Sequence, residues 1–304
     1  MRYFWGMKMR LICVFLGLVQ SVLGQNNDFK TVDDFDLNGW VKSCEIQTAY
    51  GSEILHFNRD RSLKKIVTLF NELDREQITF TYKDQALSEK IIEVFRENAL
   101  RKELSFYHKF SRNDRIYEEL IFSLEGVLVA RNQIEVDSLG NTLKSLSESP
   151  DQQTLQLIEK RMSSAVDSVF TYSDERLTAL EVLKRNPTTQ KVIEQLEVSY
   201  TDSVIARKVY TFFDQFSLPV SVVDSMFDGQ TADYVSAQVR RYSYTNKRLM
   251  ATVETTGNQS LKKTYVYQLD NSDPPNWVKR IEQPSNQYIT RRIIYYSEND
   301  SIAK

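Results

Sequence analysis

Aromatic and β-branched residues alternate with charged and polar residues along most of the chain after Trp40. A period of two residues places successive side chains on opposite faces of an extended backbone, so the alternation predicts half-buried β-strands. Short polar stretches with Asp, Asn or Ser separate these runs, and their side chains favour tight turns by bonding nearby backbone groups. The pattern therefore predicts a series of consecutive β-hairpins.

A recurring unit combines an aromatic-x-aromatic tripeptide, a short polar turn, an aliphatic residue and a second strand. The clearest examples begin at 80–82, 170–172, 198–200, 242–244 and 265–267. The spacing between them varies, whereas solenoids and propellers repeat at a fixed period. We therefore predict an all-β fold, a long twisted antiparallel meander of repeated β-hairpins.

Two stretches interrupt the alternation. Leu155, Ile158 and Met162 could line one face of a short helix within residues 149–162, and a long hairpin loop is the alternative. Asn-Pro favours the start of a turn, so a turn is predicted at 186–189. Elsewhere the strands mix long charged side chains with aromatic ones, which favours a broad sheet with one well-filled face.

The N-terminus has the pattern of a cleavable signal peptide. Arg2, Lys8 and Arg10 precede an apolar run at residues 11–19, and a cleavage-like segment ends at Gly24. The run is shorter than the roughly 20 residues of a spanning helix, so a membrane anchor is the weaker alternative. Accordingly, the mature chain is expected to have no transmembrane anchor.

These observations divide the chain into three parts. We predict a signal-peptide helix at residues 1–24, a flexible N-terminal segment at 25–35 and a β-hairpin repeat domain at 36–304. Polar residues dominate the second part, and the alternation of strands fills the third.

Charge and cysteine content narrow the function classes. The chain has 39 Lys and Arg against 41 Asp and Glu, and loss of three cations with the signal would shift its net charge from −2 to −5. A mildly acidic chain offers no electrostatic basis for binding nucleic acid or anionic membranes. Cys44 would be the only cysteine of the mature chain, so no internal disulfide is expected.

Several segments together resemble a known protein group. The segments are Asp-Leu-Asn-Gly-Trp-Val-Lys-Ser-Cys-Glu at 36–45, Asn-Trp-Val-Lys-Arg at 276–280, residues 289–296, and residues 137–144, which are the most similar to a YD repeat. Their order resembles exported, uncharacterised bacterial proteins with degenerate RHS/YD-like β-hairpin repeats. The resemblance implies a Gram-negative envelope or surface location and no known activity. Most turns, such as 83–85, lack the family's glycine, so an open curved sheet is expected rather than a closed shell.

One local motif matches the expression for an EF-hand calcium loop. The matching residues are Asp34, Asp36, Asn38, Gly39 and Glu45. Alternating oxygen ligands closed by a bidentate Glu suit calcium. An EF-hand also needs flanking helices, whereas residues 40–50 are predicted as a strand. We therefore interpret the motif as a turn before the first strand, with a calcium site as the alternative.

Residues of the usual catalytic types are few and scattered. His56 and His108 are the only histidines, and Cys44 has no histidine near it in the sequence. Nucleophilic catalysis needs a base within hydrogen-bond reach of its nucleophile. The adjacent acids at 33–34 and 118–119 would act on glycans only at separations of about 5–10 Å. We therefore predict no enzyme activity, no cofactor and no catalytic or metal-binding residue.

The predicted function is that of an exported non-enzymatic repeat protein of the periplasm or cell exterior. Its broad β-sheet surface would bind a partner or act as an envelope scaffold, and an envelope protein or a carbohydrate would suit it. Two alternatives stay open at this point. One is an extracellular glycan hydrolase with paired carboxylates, and the other is an RHS-like shell for a separate cargo.

Overall fold

The computed structural model describes residues 29–138, 142–149, 152–163, 165–173, 175–201, 204–228 and 233–297. These residues form β-strands and two short 3-10 helices, Val32–Phe35 and Lys102–Leu104. The all-β prediction is confirmed. The predicted signal peptide lies outside the described residues and stays a prediction. In the described part, no helix is long and apolar enough to cross a membrane.

The strands follow one another along the chain with short connections. The first ten are β1 (Val41–Thr48), β2 (Gly51–Phe57), β3 (Leu63–Leu69), β4 (Arg75–Lys83), β5 (Ala86–Arg96), β6 (Ala99–Leu100), β7 (Phe106–Asn113), β8 (Ile116–Ser123), β9 (Leu128–Val136) and β10 (Thr142–Ser149). The others are β11 (Gln152–Met162), β12 (Val166–Ser173), β13 (Arg176–Arg185), β14 (Val192–Thr201), β15 (Val204–Phe213), β16 (Pro219–Asp228), β17 (Asp233–Thr245), β18 (Arg248–Thr256), β19 (Gln259–Leu269), β20 (Trp277–Gln283) and β21 (Gln287–Tyr295).

Apart from β6, each strand pairs antiparallel with the next strand of the ring, and the last strand pairs with the first. β5 pairs directly with β7, while β6 adds only a short ladder to the end of β5. Across the seam between β21 and β1, Ile293 lies opposite Cys44 and Arg291 lies opposite Ile46. Twenty strands thus form one closed antiparallel ring. The expectation of an open sheet is wrong, because pairing of β1 with β21 satisfies the two backbone edges that an open sheet would leave unpaired.

The hairpin turns use residues with side chains in the left-handed conformation. Asp84 and Gln85 have φ of 52° and 61°, and Asn246 and Lys247 have φ of 50° and 63°. Two consecutive residues with positive φ match the right-handed twist of the flanking strands. The predicted role of Asp and Asn in the turns is confirmed at these sites. The scarcity of glycine therefore does not indicate an open sheet.

Residues 152–162 form strand β11, so both the helix and the long loop predicted within residues 149–162 are wrong. Leu155 lies opposite Leu146 of β10, and Leu157 lies opposite Tyr172 of β12. These two ladders satisfy the β11 backbone better than an isolated helical turn would. The predicted turn at 186–189 is confirmed, and the Asn186 side chain accepts hydrogen bonds from the backbone N–H groups of Thr188 and Thr189.

The register assigns the side chains to two faces of the wall. Direct cross-strand partners share a face, and one such row contains Ile293, Cys44, Leu55, Ile66, Ile78, Ile92 and Phe106. Buried side chains on this face include those of Leu55, Phe57, Val94, His108, Val136, Asp167 and Thr252, whereas Val198 is buried on the opposite face. Side chains converge and shield one another on the concave side of a barrel, so the face of Cys44 is the inner wall.

The apolar side of the wall changes along the ring. From β1 to β9 the inner wall carries the apolar row, which continues through Ile121 and Ile134. From β11 to β16 the apolar side chains lie on the outer wall, and we call them the outer apolar sector. The sector contains Phe170, Leu180, Val182, Leu196, Tyr210 and Val223. The sequence analysis expected one face of the sheet to be filled with apolar side chains. Neither the inner nor the outer face meets this expectation around the whole ring.

The one buried hydrophobic cluster of the described residues lies beside the seam. It contains Val32, Leu37, Val41, Cys44, Leu55, Phe57 and Leu63. Residues 29–35 belong to the segment predicted as flexible, yet Val32 is fully buried and its N–H donates to the Arg61 carbonyl at 3.1 Å. Leu63 N–H in turn donates to the Lys30 carbonyl at 2.7 Å. The N-terminal segment thus packs on the inner wall.

Candidate functional site

A hydrogen-bonded clasp joins the N-terminal segment to the last hairpin. Asn38 N–H donates to Asn276 Oδ1 at 2.7 Å, and Asn276 Nδ2 donates to the Asn38 carbonyl at 3.0 Å. Asn276 Nδ2 also donates to the Tyr295 hydroxyl at 2.7 Å, and that hydroxyl donates to Asp270. Asn276 is 1% exposed. We call Asn38, Asp270, Asn276 and Tyr295 the clasp, because they join the segment before β1 to β21 and to the connection between β19 and β20.

Asp270 is the charged member of the clasp. Burial tends to raise the pKa of Asp270, but hydrogen bonds from the Ser272 and Tyr295 hydroxyls and from the backbone of Asn276 outweigh this effect. The pKa of Asp270 therefore lies below its ordinary value. The Ser272 hydroxyl donates at 2.6 Å and the Asn276 N–H at 2.8 Å. The carboxylate is thus held in its charged form by donors that surround it.

Arg291 and Trp277 hold the N-terminal segment against the wall. The Arg291 guanidinium donates to the carbonyls of Phe35 at 3.0 Å and Asp36 at 3.1 Å. Its Cζ lies 3.6 Å from the centroid of the Trp277 ring, a cation–π contact. Trp277 Nε1 donates to Asp36 Oδ2 at 3.0 Å. The left-handed conformation of Asp36, with φ of 54°, turns the chain so that these contacts form together.

A cavity of about 400 Å³ lies beside this segment, and we call it the mouth cavity. Its cationic side chains are Lys247, Arg248, Arg280 and Arg291, its acidic ones are Asp34 and Asp36, and its aromatic ones include Tyr244, Tyr267 and Trp277. The strand ends and turns of β17 to β21 position these groups together with the N-terminal segment. Cations thus outnumber acids in the lining by four to two.

Three of these cations have no carboxylate partner in the described part of the chain. Arg248 donates to the Pro275 carbonyl at 2.9 Å, and Lys247 Nζ lies 5.8 Å from the ring centroid of Phe216. Arg280 Cζ lies 5.6 Å from the centroid of Trp277, and no ion pair within 4.0 Å is formed by any of the three cations. No direct ion pair therefore neutralises these three charges, although Asp34 and Asp36 lie in the same lining and Glu282 interacts electrostatically with Arg280.

The calcium motif is not assembled into one site. Asp34 Oδ2 accepts the Thr31 N–H at 2.6 Å, and Asp36 accepts the indole of Trp277. Asn38 belongs to the clasp, and Glu45 lies on the outer face of β1, where it accepts from Gln47 at 3.0 Å. Among the described residues, no group of three His, Cys, Asp or Glu side chains could hold a metal ion. The motif is a structured turn before β1.

The histidines and Cys44 do not form one site, although His56 lies one register position from Cys44 across the β1–β2 ladder. His56 is on the outer face of β2, and Cys44 is buried in the seam cluster. His108 is buried on the inner wall, where its Nδ1 lies 2.7 Å from Glu119 Oε1. Lys90 Nζ lies 3.6 Å from the same oxygen, so Glu119 belongs to a structural ion-pair network.

The predicted functions need correction. The prediction that a repeat protein offers a broad open sheet for binding or scaffolding is wrong, because the sheet closes into a ring. The hydrolase alternative fits poorly, because the candidate acids Glu118 and Glu119 point to opposite faces and bind Arg131 and His108 respectively. Asp33 pairs with Arg61, and Asp34 caps its own turn. The RHS-like shell fits poorly, because the ring is a single barrel of consecutive hairpins whose described connections are short.

Comparisons with known proteins find similar structures only at low sequence identity and low TM-score. No family model and no curated protein matches. A porin-like protein from Bacteroides uniformis has 9% identity and a TM-score of 0.31, covering 84% of this chain and 98% of its own. A porin-like protein from Bacteroides vulgatus has 9% identity and a TM-score of 0.33, covering 85% and 99%. TcdB2-TccC3 without its hypervariable C-terminal region has 9% identity and a TM-score of 0.23, covering 75% and 15%.

Likenesses at these scores carry no argument about function. The resemblance to exported proteins with RHS/YD-like repeats stays a prediction, since no match tests it. Function is therefore inferred from the geometry of the ring and its mouth.

Sequence reasoning missed Asn276, Arg280 and Arg291 as site residues. All three lie in segments that the resemblance singled out, 276–280 and 289–296. Asn276 bonds Asn38 and Arg291 bonds the Asp36 carbonyl, both more than 200 positions away in the chain, and nothing in the local pattern indicates these contacts.

Proposed function

We propose that the chain is a β-barrel of the Gram-negative cell envelope that provides a water-filled passage for small polar solutes. The closed ring of twenty strands is the observation that supports this function. Barrels of about eight strands are filled by their own side chains, whereas about 16–18 strands leave an aqueous channel. A ring of twenty strands is therefore too wide to be filled by its own side chains.

The composition of the inner wall supports a watery interior. Over β10 to β15 the inner side chains are mainly polar, and they include Ser145, Ser147, Gln156, Thr171, Glu181, Gln195, Glu197 and Ser199. Buried hydrophobic residues outside the seam cluster are few in the described chain, namely Val94, Val136, Val198 and Trp277. The wall is thus a single layer with little packed core behind it.

Two features favour a location in the envelope. The pattern of residues 1–24 predicts export. A closed barrel leaves no unpaired strand edge, which is the condition for strands to contact lipid. The strands of the ring have 7 to 13 residues, against about 9–11 for a strand that crosses a bilayer.

The outer wall sets how the barrel contacts lipid. The outer apolar sector is suited to lipid, but the outer side chains of β1 to β9 include Glu45, Lys65, Glu93, Lys109 and Arg131. A charge that faces the middle of a bilayer costs about 2–4 kcal/mol. We therefore propose that only the outer apolar sector faces lipid. An envelope protein would cover the charged part, in keeping with the predicted protein partner.

Conductance across planar bilayers tests the passage. The chain purified after export should produce stepwise, water-filled conductance. Ser199 and Glu194 lie on opposite faces of β14, so a cationic thiol reagent should lower the conductance of Ser199→Cys and leave that of Glu194→Cys unchanged.

Two results would contradict the passage. One is a folded protein that stays in the aqueous phase and gives no conductance. The other is equal block of the two cysteine variants. The buried Cys44 serves as the unlabelled background in both. A passage needs no catalytic residue, and the lack of enzyme activity remains a prediction.

A further inference from the structure

We propose that the mouth cavity binds a small anionic solute that carries a carboxylate or phosphate group. The inference rests on the proposed function, because it names the class of solute that the passage would receive. The cavity volume of about 400 Å³ falls within the range of about 300–1,000 Å³ that is typical of small-molecule sites.

The acidic groups of the lining are already occupied by donors from the protein. Asp34 accepts from the Thr31 backbone, and Asp36 accepts from Trp277. Arg291 is likewise engaged by the carbonyls of Phe35 and Asp36. These contacts hold the N-terminal segment in place and engage its carboxylates with protein donors, and the lining keeps four cations against two acids.

The positive charge of the cavity remains available. Arg248, Arg280 and Lys247 form no ion pair in the described chain, since their partners are a carbonyl and aromatic rings. A recess in which cations outnumber acids, here by four to two, attracts anionic solutes. The planar guanidinium group presents paired N–H donors that match the two oxygens of a carboxylate or phosphate.

The binding groups are held before any ligand arrives. The Arg280 guanidinium is flanked by the rings of Tyr265 at 5.5 Å and Trp277 at 5.6 Å. Arg248 is fixed by the Pro275 carbonyl, and the Tyr267 hydroxyl donates to the Leu249 carbonyl at 2.7 Å. A site whose side chains are already ordered loses less conformational entropy on binding.

Titration calorimetry with glucose 6-phosphate, glucuronate and glucose tests the site. Either anion should bind saturably, while glucose should not. Arg280→Gln should weaken anion binding by about tenfold, since a charge-assisted pair is lost. Arg292→Gln is the matched control, because this substitution removes the same charge from an exposed position on the outer face of β21.

Arg280→Lys keeps the positive charge but lacks the paired N–H donors of the guanidinium group. This variant replaces Arg280→Gln if the latter fails to fold, and it should lose part of the anion affinity. Equal binding of glucose, no saturable binding of either anion, or equal effects of the Arg280 and Arg292 variants would overturn the inference. Binding is measured without a bilayer, so a failure of conductance with intact anion binding would reject the passage and retain the site.

Discussion

The side-chain amide of Asn276, just before β20, bonds the segment that precedes β1. Both Asn276 Oδ1 and Asn276 Nδ2 bond the backbone of Asn38, and the amide is almost completely buried. A buried backbone group that loses its partner costs about 1–3 kcal/mol. The clasp therefore adds to the strand ladder in fixing the seam.

Asn276→Ala should destabilise the protein by about 1–3 kcal/mol, because the Asn38 N–H and carbonyl lose their partner. Thermal unfolding measures the change. Gln268→Ala at the end of β19 is the control, since Gln268 is exposed, and it should shift stability by less than about 0.5 kcal/mol. Equal effects of the two substitutions would show that the clasp is not needed.

Asp270 makes the clasp sensitive to acid. Its pKa is lowered in the folded state, so its stabilising effect is present above the unfolded pKa of about 3.9 and is lost as pH falls through the folded pKa. The midpoint temperature of unfolding should therefore decrease as the pH is lowered below about 4. Asp270→Asn should be less stable at neutral pH and lose this part of the acid dependence. An unchanged acid profile in the variant would refute the assignment.

Hairpin geometry at the element scale depends on a few backbone positions. Gly51 has φ of 143°, and a Cβ at this position would lie 2.3 Å from the Leu69 carbonyl oxygen. The β2–β3 pair thus requires a residue without a side chain at the start of β2. Gly257, with φ of 56°, has no atom within 4 Å of such a Cβ.

Gly51→Ala should destabilise the protein more than Gly257→Ala, which serves as its matched control. The first adds a backbone clash to an unfavourable φ, at a cost of about 1–3 kcal/mol or more, whereas the second adds only left-handed strain of about 1–2 kcal/mol. Denaturant unfolding of both variants measures the difference. A smaller loss for Gly51→Ala than for Gly257→Ala would contradict the predicted clash.

The strands were predictable because alternation and turn residues are local signals. The hairpin of β4 and β5 follows from Phe80, Tyr82 and the Asp84 turn alone. Strand β11 was not predictable, since Leu155 and Ile158 are three positions apart and suit a helix as well as a strand. Only the ladders to β10 and β12 decide between them.

The whole-molecule shape could not be predicted in the same way. Open and closed sheets have the same alternation, and closure depends on pairing between Cys44 and Ile293 at opposite ends of the chain. The candidate site depends on the same closure, because Asp36 and Arg280 line one cavity although they are far apart in the chain. The switch of the apolar side between β9 and β11 adds to the difficulty, since neither face is apolar throughout.

Closure of the ring is the central claim, and a disulfide across the seam tests it most directly. Cys44 lies opposite Ile293, and opposed residues in an antiparallel pair are about 4.5–5.5 Å apart at Cα, within the range for a disulfide. Ile293→Cys should form a bond with Cys44 under mild oxidation, seen as a linked peptide by mass spectrometry. Ile289→Cys, on the same face of β21 but opposite Arg280, should not. Two free thiols in folded Ile293→Cys would contradict the closed barrel.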